Sequence, residues 1–504
     1  MRPAGRGRRV AVVGAGVGGL AAAVLLASRG CTVEVLEAGD RVGGKLGIGR
    51  HDGVEFDTGP TVFTLPQTLD AVLREAGTSL DAELELIEPV PAFRYLYPDG
   101  VSLDIHPHVN DTLESVARAL GERAASELAG FLEYSGRIWR AAAPHFVFGP
   151  APGPDALLRA GLAAPALLRD VDPLRSMWRA IRSHVRSEHL RWLLARYATY
   201  NGSDPRRAPA TLNCIAHVEL VGGGYGVRGG MYGIARSLER AALSLGVRIV
   251  FGARAVGIEV AHGRAVGVVL GDGARVRADA VVANADAAHV LGSLLPAEHR
   301  RRPRGEPSMS GWVGILRARR RSAEERTAHT VLFPTRYLNE FADIFDRGIS
   351  PREPTVYLCA QERAHGRSGW AGEEPIFLMT NASPESRDSA RTAEDAATEH
   401  VLARLCTAGL CDSDDRIVWE RAPRDLAAQF PGSAGAIYGA SSNSAFAAFR
   451  RPANRVRHVR GLYLASGSAH PGGGVPMCLM SGRAAASALL EDRGEAPLPR
   501  MDAK

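Results

Sequence analysis

The sequence predicts an α/β protein: a Rossmann-like domain assembled from discontinuous segments, carrying a second, mixed α+β domain. Two observations predict this. The N-terminal stretch "VAVVGAGVGGLAAAVLLASRG" reads as a buried strand, a glycine turn and a small-residue helix. A similar device, "LASGSAHPGGGVPMCLMSGRAAASALL", stands at residues 464–490 of the 504-residue chain. A ligand needing both must bring the two ends of the chain together.

In the first device the strand "RVAVV" enters a tight turn, and the helix stops at Gly30. "CTVEVLEA" follows as a second strand ending in Glu37. Gly14, Gly16 and Gly19 match G-x-G-x-x-G, whose glycines allow a tight turn, approach of a pyrophosphate and close helix–strand packing. The free N–H groups of the helix start suit phosphate. Glu37 is placed to accept hydrogen bonds from the adenosine ribose, and it disfavours a 2′-phosphate. A match set between two strands with a terminal acid predicts a dinucleotide. The run that follows, "GDRVGGKLGIGRHDGVEFDTGPTVF", adds the pair Gly43 and Gly44 with positive charge on Arg41 and Lys45. That extra cradle predicts FAD rather than a nicotinamide cofactor.

"GYGVRGG" at residues 224–230 repeats the pattern but leads to "VRIVF", which no acid ends. It reads as the turn returning the chain to the first domain, not as a second nucleotide site. A β-meander with hairpin turns at His262 and Gly263 and at Asp272 and Gly273 follows, then a core strand ending at Asn284. The last device would add the strand at residues 462–465 beside the first strand, with its glycines against the flavin end of the same FAD. The segments are expected at 1–75, 225–300 and 456–504 for the FAD domain, and at 76–224 and 301–455 for the substrate domain.

The bulk numbers exclude several classes. Hydrophobic residues make up 45% and charged residues 23%, against a disordered chain. The net charge is +6, almost all from arginine; Lys45 and Lys504 are the only lysines. No basic helix or aromatic-studded strand accompanies the charge, so nucleic acid is not expected. The clusters at 300–304 and 317–321 could face anionic lipid headgroups. Six cysteines lie scattered without C-x-x-C or metal-ligand spacing, which predicts reduced thiols and no metal. The apolar run from residue 10 to 27 contains four glycines, so it reads as strand–turn–helix and not as a membrane span.

GAGVGG with Glu37 and "RVGGK", "GGMYGIARSLERAA", and "LYLASGSAHPGGGVPMCLMSGR" together resemble the bacterial-type phytoene desaturase family of carotenoid oxidoreductases over nearly the whole chain. "PTVYLCAQER" and "SAHPGGGVPM" look most like the subgroup acting on 1-hydroxy- or methoxy-carotenoids at C3–C4. The resemblance implies the FAD-binding fold of the glutathione-reductase and amine-oxidase type and an FAD-dependent desaturase acting on CH–CH groups. The expected FAD contacts are Gly14, Gly16, Gly19, Glu37, Arg41, Gly44, Lys45, Gly59, Pro60, Val256, Asn284, Gly467, Gly474 and Val475. Many related flavoenzymes place an Asp where this chain has Ser466, Gly467 and Ser468.

An allylic CH–CH bond loses a hydride and a proton, and only the flavin can take the hydride. No catalytic base is assigned; His470 is the one candidate, and it could equally orient its turn. His217 and Glu219 fall in the substrate region and read more readily as structural. Phe146, Phe148, Trp178, Trp192 and Trp312 are candidate tunnel lining. The leucine-rich stretch at 155–181 could dip into one leaflet. The expected partners are a polyene substrate, a membrane surface, and quinone or oxygen as electron acceptor, with the protein in the cytoplasm at the inner face of the membrane. The alternatives are an early-pathway phytoene desaturase, a flavin-dependent carotenoid isomerase, an amine or porphyrinogen oxidase, and a non-enzymatic escort protein of the same fold.

Overall fold

The computed structural model describes residues 8–151, 169–303, 305–384, 391–444 and 447–501. Its first sheet has five parallel strands drawn from both ends of the chain. They are β1 (Arg9–Val13), β2 (Thr32–Leu36), β3 (Arg248–Val250), β4 (Ala280–Ala283) and β5 (Leu462–Leu464), in the order β5-β4-β1-β2-β3. β5 therefore pairs with β4, and not with β1 as the sequence suggested. β4, "AVVA", is buried along its whole length and takes the interior place between β5 and β1. Strands buried on both faces are continuous apolar runs, so they carry no pattern that ranks them within a sheet.

Three helices cover one face: α1 (Val17–Ala27), α2 (Gly233–Ser244) and α3 (Val475–Glu491). α1 and α3 meet backbone to backbone. A Cβ on Gly482 would lie 2.4 Å from the Gly18 carbonyl oxygen, and one on Gly18 would lie 2.4 Å from that of Ala465. The two glycine devices are thus direct neighbours. The other face carries a three-stranded antiparallel meander of Ala255–Ala261, Arg264–Leu270 and Arg275–Arg277. His262 and Gly263 form its two-residue turn with φ of 51° and 69°, the left-handed geometry of a tight hairpin.

A second, seven-stranded mixed sheet holds Phe93–Leu96 and Ser102–Ile105 beside five strands from residues 310–421. The helices Glu122–Phe146, Glu188–Arg196 and Cys214–Leu220 contribute to the core on one of its faces. On its strand Ser310–Arg319, next to the edge strand, Val313 and Ile315 face that core, whereas Trp312, Leu316 and Ala318 face a separate cluster on the other side. Trp312 therefore cannot line a chamber shared with Trp192, because alternate residues of a strand point to opposite faces.

The leucine-rich 155–181 stretch lies largely outside the described residues. The arginines of the 317–321 cluster are ion-paired to Asp52, Glu373, Glu362 and Asp412, so this cluster is not free for lipid. Cys406 and Cys411 are joined as a disulfide, against the expectation of free thiols. The turn between them, with Gly409 at φ 69° and Leu410 N–H bonded to the Leu405 carbonyl, brings their Cα atoms to 4.6 Å. No described helix is long and apolar enough to cross a membrane.

Candidate cofactor and substrate site

In an open parallel sheet, ligands bind at the carboxyl ends of the strands. At that edge the structure assembles Gly14 after β1, Glu37 after β2, Asn284 after β4 and Ala465 after β5. Gly14 has φ +96°, and a Cβ on Gly19 would sit 2.3 Å from the Gly14 carbonyl oxygen. A Cβ on Gly16 would lie 2.5 Å from Asn284 Oδ1, and Asn284 Nδ2 donates to the Ala465 carbonyl. One amide side chain thus spans the gap between the two glycine devices. Gly44, at φ +60°, lies against Gly16, and Gly43 N–H donates to the Ala15 carbonyl at 2.9 Å. A Cβ on Gly59 would meet the Lys45 carbonyl oxygen at 2.3 Å, and Pro60 is half-buried beside it.

The Glu37 carboxylate accepts from the N–H groups of Ala15 and Gly39, each at 2.7 Å, so it braces the turn as well as offering an acceptor. α1 starts at Gly16 with no side-chain cap and no acid in its first turn. α3 starts likewise at Gly474, φ +98°, followed by buried Val475. Two uncapped helix starts on one edge leave N–H groups for a ligand. A Cβ on Gly467 would lie 3.2 Å from Gly473 Cα. Two other expected contacts are exposed. Arg41 is exposed and paired with Asp40 at 3.0 Å. Val256 is 50% exposed on the meander, at a register shift between Ala255 and Gly257.

Three buried or half-buried cations stand near the same edge with carbonyls for partners. Lys45 Nζ donates to the carbonyls of Ile437 at 2.7 Å and Ala436 at 3.2 Å. Arg451 donates to the carbonyls of Tyr438, Gly467 and Ala440, and Arg421 to that of Thr58 at 2.9 Å. Burial pushes all three pKa values down, that of Arg451 to about 10. None has an ion-pair partner among the described residues. The nearby carboxylate, Asp286, caps a short helix through Ala288 N–H at 2.8 Å, and its pKa is raised by burial. Buried charge without a counter-ion is costly, so the set fits an anionic group. A glycine cradle, a terminal acid, free helix starts and unpaired cations together fit FAD.

His470 is 4% exposed, and its Nε2–H donates to the Gly149 carbonyl at 3.1 Å. Desolvation pushes its pKa down to about 4. It is neutral at neutral pH with that proton committed, which suits holding the turn. Asn454 clamps the same turn from behind, donating to the carbonyls of Leu464 and His470. Sequence reasoning missed Asn454, Arg451, Arg421 and Asp57. Asp57 is fully buried and accepts from the N–H groups of Met231 and Tyr232 at 2.9 and 3.1 Å, tying the "FDTGP" run to the start of α2. An acid two residues before a structural glycine was the available signal.

Beside Thr61 lies a packed aromatic cluster, the wall of a candidate substrate chamber. Tyr357 Oη is 2.6 Å from Thr61 Oγ1 and 2.8 Å from His329 Nδ1. Phe93, Tyr95, Tyr97, Phe333 and Tyr337 continue the wall, with Trp192 packed on Tyr97, Phe333 and Tyr337. Glu219 joins them, accepting from Tyr197 at 3.0 Å and Tyr200 at 2.5 Å. Trp178 and Phe146 pack on the edge of this core, while Phe148 lies with Trp139 in a separate small cluster near Met480. The ring nitrogen Nδ1 of His217 is buried without a partner among the described residues, and burial lowers the pKa of this histidine.

The chain matches the family described as flavin containing amine oxidoreductase over residues 17–490. It is 36% identical over 501 residues to the hydroxyneurosporene desaturase of Rhodobacter capsulatus, covering 96% of this chain and 98% of that protein. It is 33% identical over 495 residues to the 4,4'-diapolycopene oxygenase of a Methylomonas species, with 96% and 98% covered. Among solved structures it shares the fold of cyclohexylamine oxidase from Brevibacterium oxydans, with a TM-score of 0.60, 16% identity and coverage of 97% and 100%. The chain belongs to the flavin containing amine oxidoreductases, within the bacterial carotenoid desaturase family, and is an FAD-dependent oxidoreductase.

Proposed function

We propose that this protein dehydrogenates C3–C4 of an acyclic 1-hydroxy- or methoxy-carotenoid, extending the conjugated system by one double bond. The observation that carries the reading is the juxtaposition of the cofactor edge with an aromatic chamber at Thr61. A stiff polyene needs a dry, aromatic-lined site, and Phe93, Phe333 and Trp192 supply such a wall beside the hydroxyls of Tyr95, Tyr97 and Tyr357. The name of the Rhodobacter relative supports the hydroxylated substrate.

FAD, when bound, supplies the hydride acceptor. The expected contacts would be made by Gly14, Gly16 and Gly19 at the pyrophosphate, Glu37 at the ribose, and the Gly467–Gly474 turn at the flavin end. Lys45, Arg421 and Arg451 would offset its negative charge. Phe93, Phe333 and Trp192 exclude water and hold the polyene in line. Asn454 and His470 fix the turn, so the proton is lost from a carbon activated by the polyene without an assigned base.

In this reading the protein works at the inner face of the membrane, where its substrate dissolves. Leu174 is 90% exposed beside a surface cleft of about 340 Å³ lined by Arg175, Arg179, Arg206 and Arg207. Arg175, Arg206 and Arg207 are ion-paired to Asp172, Asp204, Asp346 and Glu306, so the exposed leucine, and not free positive charge, supports this reading. Quinone or oxygen would reoxidise the flavin.

The test offers phytoene and a 1-hydroxy-carotenoid separately to the flavin-loaded enzyme with a quinone. The hydroxylated polyene should lose two hydrogens and absorb further to the red. Conversion of phytoene alone, a product of unchanged mass, or a product that gains oxygen would each overturn the reading.

A further inference from the structure

A buried arginine sits at the centre of the aromatic chamber with donors to spare. Arg196 ends the helix Glu188–Arg196 and is 8% exposed. Its guanidinium lies 5.4–5.7 Å from the ring centres of Phe93, Tyr95, Tyr200 and Tyr357. Nη1 makes two long hydrogen bonds, to the hydroxyls of Tyr95 at 3.3 Å and Tyr200 at 3.4 Å. Nε and Nη2 have no hydrogen-bond partner among the described residues. Its neighbours Tyr95 and Tyr197 are 0% exposed, whereas Arg196 and Tyr357 keep 8% and 9%. Arg196 and Tyr357 are thus not completely enclosed by the cluster.

The charge of Arg196 is already offset. Four ring faces surround it, and Glu219 is linked to it through the Tyr200 hydroxyl. What remains unsatisfied is hydrogen-bond donation, which in a buried group calls for an explanation. The complement is a neutral oxygen acceptor on an otherwise apolar molecule, not an anion. The position matters as much as the chemistry. Tyr357 joins the cluster to Thr61, next to Gly59 and Pro60. Asn201, which follows Tyr200, accepts from Arg451, and Arg451 in turn donates to the Gly467 carbonyl. The cluster therefore stands between two expected FAD contacts, Gly59 and Gly467.

We propose that Arg196, with Tyr200 and Tyr357, is the recognition site for the oxygen at the substrate's end, a tertiary hydroxyl or its methyl ether. This rests on the reaction proposed above. In a 1-hydroxy-carotenoid the oxygen-bearing carbon is two bonds from the reacting C3, so its partner must lie beside the reacting centre, as this cluster does. The role is one of specificity: Arg196 selects and positions the chain end, and no proton or hydride passes through it.

The experiment compares dissociation constants of the flavin-loaded full chain for a 1-hydroxy-carotenoid and for the same polyene without oxygen. The polyene absorption shift reports binding, and flavin occupancy and melting temperature are recorded in parallel. Wild type should prefer the hydroxylated ligand by roughly tenfold or more, since a site built to hydrogen-bond a hydroxyl rejects the analogue lacking it. Arg196→Met and Tyr200→Phe should each shrink that ratio to within about threefold, with Arg196→Lys intermediate because it keeps charge but loses the planar fork. Tyr200→Phe removes one oxygen and keeps the ring, so it gives the answer even where Arg196→Met does not fold. An unchanged ratio in Tyr200→Phe, or in folded Arg196→Met, overturns the assignment. Equal wild-type affinity for the two ligands together with desaturation of the hydroxylated one also overturns it while sparing the reaction. Preference without desaturation supports the site and overturns the reaction.

Discussion

The cofactor edge and the aromatic chamber are built in opposite ways. At the edge, side chains are left out: Gly18 and Gly482 let α1 and α3 touch, and Gly14, Gly16 and Gly19 let backbone approach backbone. In the chamber, side chains are brought in from distant segments, with Phe93, Arg196, Glu219, His329 and Tyr357 meeting around one guanidinium. An omission cannot be compensated by a neighbour, because only glycine fits. A side-chain contact can be rebuilt from either partner.

The largest effect should come from Gly482→Val. A Cβ there already lies 2.4 Å from the Gly18 carbonyl oxygen and 2.9 Å from Ala21 Cβ. Forcing a branched side chain into a closed gap costs ~3 kcal/mol or more, so flavin-loaded protein should not be recovered. Normal yield and flavin content would break the comparison.

The contrast is sharpest at the buried pair Arg326 and Glu374, 2.6 Å apart with side chains 0% and 1% exposed in the second sheet's region. Arg326→Met should cost about 3–5 kcal/mol by stranding the carboxylate. Adding Glu374→Leu should restore much of that loss in urea unfolding, which no second change can do for Gly482.

The two regions should also answer pH with opposite sign. His470, at the edge, has its pKa lowered from an ordinary 6.5 to about 4. In the unfolded chain it takes a proton first, so its contribution is full above pH 6.5 and lost as pH falls towards 4. Glu340, in the second sheet's region, is raised from 4.5 to about 7 by burial. Its contribution is full below pH 4.5 and lost as pH rises to about 7. Stability profiles of His470→Gln and Glu340→Gln should therefore flatten on the acid and the neutral side respectively, each by on the order of 3 kcal/mol. His365, also lowered to about 4, adds to the wild-type acid slope, so the difference from wild type is the quantity to read.

The smallest effects separate two cations of one motif. Lys45→Met should weaken flavin binding by roughly tenfold or more, in line with ~1.5–3 kcal/mol for a hydrogen bond to a charged group. Arg41→Ala should change it by less than about twofold, because an exposed ion pair contributes little. Flavin retention on dialysis measures both.

The same contrast explains what could be read from the sequence. Omission is local: glycine turns, an acid at a strand end and hairpin pairs stand next to one another in the chain, and the parallel sheet followed from them. The order of β4 and β5 did not, because buried strands carry no ranking pattern. The chamber was illegible for a related reason. Arg196, Tyr197 and Tyr200 are visible as one helical turn, but nothing adjacent in sequence announces Phe93 or Tyr357 opposite them. Trp312 was misplaced because a strand buried on both faces hides which side each residue takes. Arg451 looks like any arginine in an arginine-rich chain until its partners are seen to be carbonyls.

The most direct test of the central claim is a single turnover without oxygen or quinone. Oxidised, flavin-loaded enzyme is mixed with an equimolar 1-hydroxy-carotenoid, and flavin reduction is followed together with product mass. The reading predicts one flavin reduced for each double bond gained at C3–C4, with the product lighter by two hydrogens. A polyene that changes geometry or remains intact while the flavin stays oxidised would contradict it.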